Sequence, residues 1–373
     1  MLQTIREKVT EGKRISQQEG LYLLRDAKLL DLAPLAQMVR ERHNPESTVT
    51  FVVDTNLNYT NVCDAYCTFC AFYRTEGSPE AYTYSVEEVM GMLEKASSTG
   101  VTTVLMQGGL NSKLPMEYYC DLVRETRRRY PHIHPHYYSA PEIMKMVQVT
   151  GMSLTDVLQR LKEAGLNTIP GGGSEILSNR VKHKISRLSP KGKVSDWTDV
   201  HREAHKLGYR TTATMMYGHL EEDEDIIEHL DIVRTIQDET GGFTAFIPWS
   251  FKRENTALGQ KIKEESGPNR YLRMIAISRI YLDNLQHIQA SWFSEGKKTG
   301  QVALHFGGDD FGGTLFEENV MQEAGFYNRT TAQEVVAMIS EAGFTPVQRT
   351  TLYEVVKRYD DSLANQKTVT TVA

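Results

Sequence analysis

From Val49 onward the chain repeats one pattern: a short apolar, β-branched run, a polar loop, an amphipathic stripe, a glycine, and then the next run. Val49–Val53 reads as the first strand. Val86, Val89, Met90 and Leu93 then stand at helical spacing, with Ser85 and Glu88 as a capping box and Gly100 as the terminator. The same alternation predicts strands at Val101–Met106, His132–Tyr138, Asn167–Ile169, Tyr209–Met216, Phe243–Ile247, Ile288–Trp292 and Val302–Phe306. Helices are expected near Met116–Tyr130, Leu154–Leu161, Ser195–Leu207, Asp223–Thr240 and Tyr271–Leu285. Two more follow, near Leu315–Ala324 and Thr331–Ala342. Eight strands that alternate with helices predict an α/β fold, a (β/α)8 TIM-type barrel, with a doubly wound open sheet as the alternative. In a barrel the chemistry sits in the loops that follow the strands.

Residues 1–48 differ from this pattern. They are charged and Leu-rich, and Leu21, Leu24, Leu29, Leu32 and Leu35 predict short helices, with Pro34 starting or kinking one. We read 1–48 as a helical extension packed on the barrel, 49–358 as the barrel with its C-terminal helices, and 359–373 as a polar tail.

Composition narrows the class. Of 373 residues, 40% are hydrophobic and 24% charged, and the formal net charge is −6 with both signs interspersed. That balance argues against a dedicated nucleic-acid or membrane-surface protein. The N-terminus carries no apolar signal core and no run approaches a membrane span, so a cytoplasmic enzyme is expected. In a reducing compartment, clustered cysteines read as metal ligands or redox centres rather than disulfides.

Three of the four cysteines, Cys63, Cys67 and Cys70, lie in one Cys-x3-Cys-x2-Cys loop directly after the first strand. Thiolates favour iron–sulfur clusters, zinc or copper(I). Zinc wants a fourth close ligand, and the flanking histidines, His43 and His132, are distant in sequence. Cys67 and Cys70 alone make a redox pair, which leaves Cys63 unexplained. Three thiolates on a four-iron cubane leave one iron open. Cys120 lies on a predicted helix and reads as a core thiol. Two glycine segments also close strands. Gln107-Gly-Gly-Leu110 lets a ligand approach the backbone or is an ordinary βα turn. Pro170-Gly-Gly-Gly-Ser-Glu175 lacks the Gly-Lys-Ser/Thr of a P-loop. His132, His134 and His136 alternate along a strand and share one side, a solvated barrel mouth or a metal site. Met215 and Met216 read as core, and Tyr217, Gly218 and His219 as site candidates.

With an aromatic residue, Phe69, before its last cysteine, this loop resembles the signature of the radical S-adenosylmethionine superfamily. The resemblance implies a [4Fe-4S] cluster on Cys63, Cys67 and Cys70, whose open iron chelates S-adenosylmethionine. It implies cofactor contacts at Gly108 and Gly109 (methionine end) and at Glu175 (ribose hydroxyls). Arg180 and His183 are either partners of the cofactor's carboxylate or solvated loop charge. The segments Gln237–Gly242, Phe243–Phe251, Glu254–Thr256, His305–Thr314 and Glu317–Asn319 resemble the group that holds the menaquinone futalosine-pathway enzymes and the F0 synthases. Within it, Ile247-Pro-Trp249 and Ala213–Met216 resemble the futalosine-cyclising branch, and the aminofutalosine branch carries Leu where Trp249 stands.

That resemblance implies cyclisation of dehypoxanthine futalosine. A 5′-deoxyadenosyl radical removes the ribose C4′ hydrogen, the carbon radical closes on the benzoate ring, and loss of a proton and an electron restores aromaticity. Tyr217, Trp249, Phe251 and Phe306 are the candidate pocket walls. Asp309, Asp310, His219 and His305 are the candidate polar contacts or base, with a Gly-flanked turn as the other reading of the Asp pair. The expected partners are a nucleoside-derived small molecule and a reductant such as flavodoxin or ferredoxin, with no nucleic acid or membrane. Aminofutalosine synthase, an F0-synthase half and a zinc-stabilised binding protein are the alternatives.

Overall fold

The computed structural model describes residues 1–360 except 187, 189, 190, 316, 326 and 328. Its strands are β1 (Thr48–Val52), β2 (Asp54–Leu57), β3 (Thr103–Met106), β4 (His134–Tyr137), β5 (Thr168–Ile169) and β6 (Arg210–Tyr217). They continue with β7 (Phe243–Ser250), β8 (His287–Ile288), β9 (Asp310–Gly313), β10 (Thr345–Arg349) and β11 (Val355–Arg358). β1 and β2 are two halves of one stave, interrupted at Val53. β2, β3 and β4 pair in parallel, as do β5 through β8. β9 lies parallel to β1 and reaches the β8 side through a Gln289–Asp310 bridge. Between β4 and β5 the join is made by side chains: the Thr168 hydroxyl meets His134 Nε2 and His136 Nδ1, each at 2.9 Å. The result is a (β/α)8 barrel with helices outside and a core that runs from the N-terminal helices through every stave.

Three sequence expectations change here. Val302–Phe306 is helical, within the helix Lys297–Ala303 and a 3-10 turn Leu304–Phe306. Ala303, Leu304 and Phe306 are buried while Val302 is 44% exposed, a helical rather than an alternating rhythm. The eighth stave is instead β9, whose Asp-Phe-Gly-Gly sequence has poor strand propensity. Its fold is imposed by neighbours: Asp310 accepts from Thr50 Oγ1 at 2.6 Å and from Gly312 N–H at 2.9 Å. A Cβ at Gly313 would lie 2.0 Å from the Asp54 carboxylate. Of the helix expected near Leu315–Ala324, only Val320–Glu323 is helical among the described residues. The later helix is Ala332–Glu341, capped by Thr331 and Glu334 as its sequence predicts.

β10 and β11 form an antiparallel hairpin that the pattern did not announce. β10 pairs with the start of β1 on the edge that β9 leaves free, and Thr351 Oγ1 reaches Thr103 Oγ1 at 2.8 Å. The hairpin is therefore wedged between β1 and β3 at the N-terminal end of the barrel, where its turn forms a floor. Tyr359, placed in a polar tail by sequence, packs its ring on Phe51 and donates its N–H to Pro346 O at 3.1 Å. The rest of that tail, from 361 on, lies outside the described residues.

The N-terminal helices Leu2–Thr10, Gln17–Arg25 and Leu29–His43 cover the same end, the last of them against the helix Pro268–Tyr281. Pro34 sits inside the third of these helices. Buried Arg40 donates to Thr48 O (2.7 Å) and Gly308 O (3.0 Å), which ties this extension to the barrel floor. No helix among the described residues is long and apolar enough to cross a membrane.

Candidate active site

The inward positions of the staves enclose a cavity of about 390 Å³. Its upper end is the cysteine loop. Cys63 N–H donates to Arg74 O at 3.0 Å and Cys70 N–H to Cys67 O at 3.2 Å, which folds the loop back on itself. Cys67 is buried and Ser186 Oγ lies 3.4 Å from its sulfur, while Cys63 and Cys70 are half-buried. Burial pushes the Cys70 thiol up to about 11 and raises Cys63 as well. Such thiols become thiolates when a bound cation supplies the charge. Among the described residues no group of three or more His, Cys, Asp or Glu is arranged to hold a single metal ion. A cluster places each thiolate on a different iron, so its ligands need not converge.

Gly109 lies directly beneath this loop. A Cβ there would sit 2.2 Å from Val62 O, so only glycine lets the turn after β3 pass under the cysteines. Gly108 lies against the Tyr59 ring, and its N–H donates to Glu142 Oε1 at 2.9 Å. Glu142 also accepts from Tyr59 Oη at 2.6 Å, so a buried carboxylate that the sequence reading passed over fixes the glycine turn.

Glu175 lies across the cavity mouth in a left-handed conformation, φ 43°, and is buried. Its Oε1 meets Lys191 Nζ at 2.8 Å, and its Oε2 has no hydrogen-bond partner. The Lys191 ammonium also lies over the Phe69 ring, 4.8 Å from its centroid. Burial lowers Lys182, the next cation along, to about 8. Three thiols, a glycine cradle and a buried carboxylate oxygen free to accept from a diol fit a cluster and its nucleoside cofactor.

The remaining candidates separate. Phe69, Gly108, Glu175 and Trp249 line the cavity. Arg180 does not; it pairs with Asp225 on the outside, and His183 is exposed. Tyr217 and Phe251 are buried behind the wall, with Phe251 against the His219 ring. His219 is engaged by Glu221 and by Met216 O. Phe306 is core, and His305 is exposed beside Phe344. Asp309 is fully buried between Arg279 (2.5 Å) and His287 (2.9 Å). Burial opposes its charge, yet the Arg279 guanidinium and the hydrogen bond from His287 hold its carboxyl well below the usual range. Asp310 grips Arg349. None of the four expected base candidates borders the cavity: Asp309, Asp310 and His219 are taken up in holding the scaffold, and His305 lies on the exposed side of its turn.

The cavity's acids are others. Asp54 and Glu318 face it, and burial pushes each carboxyl up to about 6. Glu318 is occupied by Val320 and Met321 N–H and by Asn56 Nδ2. Asp54 accepts from Leu315 N–H through Oδ1 at 2.9 Å. The signal for Asp54 was present in the sequence: Asp54, Asn56 and Asn58 are polar at every second position, which is one face of a strand. His136, expected at a solvated mouth or a metal, lines the cavity wall, and burial lowers it to about 3.

Comparison with known proteins gives two matching family models, the radical SAM superfamily over residues 57–233 and the CofH/MqnC C-terminal region over 240–361. The chain is 40% identical to the cyclic dehypoxanthine futalosine synthase of Halalkalibacterium halodurans, with 97% of each chain covered. It is 39% identical to the aminodeoxyfutalosine synthase of Thermus thermophilus, over 95% of this chain and 96% of that one. It is 44% identical to the 5-amino-6-(D-ribitylamino)uracil–L-tyrosine 4-hydroxyphenyl transferase of Methanopyrus kandleri, over 83% and 85%. The FeFe-hydrogenase maturase HydG from Carboxydothermus hydrogenoformans has the same fold, with TM-score 0.74, 16% identity and coverage of 94% and 80%.

Proposed function

The chain belongs to the radical S-adenosylmethionine superfamily, and from that premise we propose that it cyclises dehypoxanthine futalosine in menaquinone biosynthesis. The observation that carries this reading is similarity along the whole chain to a cyclic dehypoxanthine futalosine synthase. Cys63, Cys67 and Cys70 hold a [4Fe-4S] cluster with one iron open to S-adenosylmethionine. Gly108 and Gly109 take the methionine end and Glu175 the ribose hydroxyls. When bound, cluster and cofactor supply a 5′-deoxyadenosyl radical, the agent for removing the ribose C4′ hydrogen.

The chain's own residues then have three tasks. The barrel interior, walled by Trp249 and Phe69, keeps water from the reacting carbon. The cavity holds sugar and aromatic ring in contact so that closure is intramolecular. A carboxylate takes the proton lost as the ring regains aromaticity, and Asp54 has the position and the raised pKa for it. The reaction belongs in a reducing cytoplasm, with a flavodoxin or ferredoxin as electron donor.

The test is mass-spectrometric product analysis after anaerobic reconstitution. Dehypoxanthine futalosine should yield a product two hydrogens lighter, together with 5′-deoxyadenosine. Turnover of only the enolpyruvyl substrate of the aminofutalosine branch, or only of tyrosine with a ribitylaminouracil, would refute it.

A further inference from the structure

Among the described residues, two cationic side chains border the cavity, at opposite ends. Lys191 is at the cysteine end, where Glu175 and the Phe69 ring already hold its ammonium. Arg349 is at the floor, the last residue of β10 before the turn of the C-terminal hairpin. Its Nε and Nη2 both donate to the Asp310 carboxylate, the latter at 3.0 Å, and Nη1 donates to Thr350 O at 3.1 Å. A guanidinium has five N–H groups. These bonds use three, and two are left over, one on each terminal nitrogen, the pair of nitrogens whose end-on edge matches a carboxylate.

The fork is fixed in place. Arg349 lies over the Tyr353 ring at 3.9 Å, and that ring is stacked on His287 at 3.7 Å. Asp310 is itself fixed by Thr50 Oγ1 and Gly312 N–H. Beneath the floor, Arg40 and Arg279 are both buried near the single carboxylate of Asp309. Asp54 is a further carboxyl near Arg349, and burial pushes it up to about 6. The floor thus gathers three buried guanidiniums, Arg40, Arg279 and Arg349, around Asp309 and Asp310, and a carboxylate that meets the two unused N–H groups of Arg349 does so in a low-dielectric site.

We propose that Arg349 anchors the carboxylate of the substrate's benzoate through the fork that Asp310 leaves free. This rests on the futalosine reading, since that substrate carries a carboxylate on the ring edge remote from its sugar. With the sugar toward Glu175 and the carboxylate on the floor, the ring lies across the middle of the cavity, beside Asp54. Arg349 acts here as a specificity-determining residue.

The experiment compares three proteins: wild type, Arg349→Lys, which keeps the charge without the fork, and Arg349→Gln with Asp310→Asn, which removes both buried charges together. Iron content and substrate-free formation of 5′-deoxyadenosine establish that each is folded and loaded. Loss of a charge-assisted pair should raise KM for dehypoxanthine futalosine about ten- to hundredfold in both variants with a smaller change in kcat. Benzoate and benzamide then serve as equilibrium probes that need no turnover. Wild type should prefer benzoate, and the double variant should bind the two alike. Retention of the wild-type preference by the double variant overturns the anchor. If wild type prefers benzoate through Arg349 yet does not convert dehypoxanthine futalosine, the anchor stands and the proposed function fails.

Discussion

At position 54 an acidic side chain points into the barrel from a stretch whose preceding residues are apolar, and burial pushes its carboxyl up to about 6. A proton acceptor must be ionised before it acts, so kcat should fall as pH is lowered through about 6. Asp54→Asn keeps the shape and the acceptor for Leu315 N–H but removes the base. It should lower kcat about 10²–10⁴-fold, abolish that acidic limb, and still permit formation of 5′-deoxyadenosine. An unchanged pH profile would reassign the base. Cys67→Ala makes the complementary prediction. Cys67 is the buried member of the three, and its loss should abolish cofactor cleavage itself, read as methionine release under reducing conditions. Single residues were unevenly legible. Cysteine spacing announces itself, because no other residue type offers three soft ligands within one loop. Asp309 and Asp310 stood out as candidates in sequence while Asp54 did not, and only their neighbours Arg279, His287 and Arg349 reveal that the pair holds the scaffold.

Among the elements, the β4–β5 seam is unusual in resting on side chains. Thr168→Val would strip a hydroxyl from two largely buried imidazoles at once. Each unsatisfied group costs about 1–3 kcal/mol, so the denaturation midpoint should drop by several tenths of a molar or more. No change would mean that backbone contacts hold the seam. The same histidines give a pH dependence. Burial lowers His134 from 6.5 to about 4 and His136 to about 3. The unfolded chain therefore takes up protons first, and stability should decline as pH falls from 6.5 toward 4, measurable as urea midpoints at pH 7 and 5. Elements with strong periodicity were readable: the helices capped at Ser85 and Thr331 form where the capping boxes place them. β9 was not. Its Asp-Phe-Gly-Gly sequence has little preference for a strand, and β1, Asp54 and Arg349 impose one on it.

In the whole molecule, the cysteine loop forms a small apolar cluster of its own around Ala65, Cys67 and Leu110, while the main core runs through staves and helices. Removal of iron should therefore abolish activity and leave the far-UV circular dichroism and the cooperative thermal transition in place. Loss of helical signal on chelation would mean that the cluster holds the barrel together. The N-terminal helices and the C-terminal hairpin meet at the opposite pole, where Arg40 of the extension and Arg349 of the hairpin brace the floor through Gly308 and Asp310. The sequence by itself pointed to the barrel and to three thiols in one loop, because periodicity and ligand spacing are local properties of a chain. The tertiary structure alone decided which acids face the cavity and that Arg349 lies under it. Burial and charge pairing depend on residues hundreds of positions apart, such as Asp54 with Leu315 or Thr50 with Asp310, and only the closed barrel brings them together.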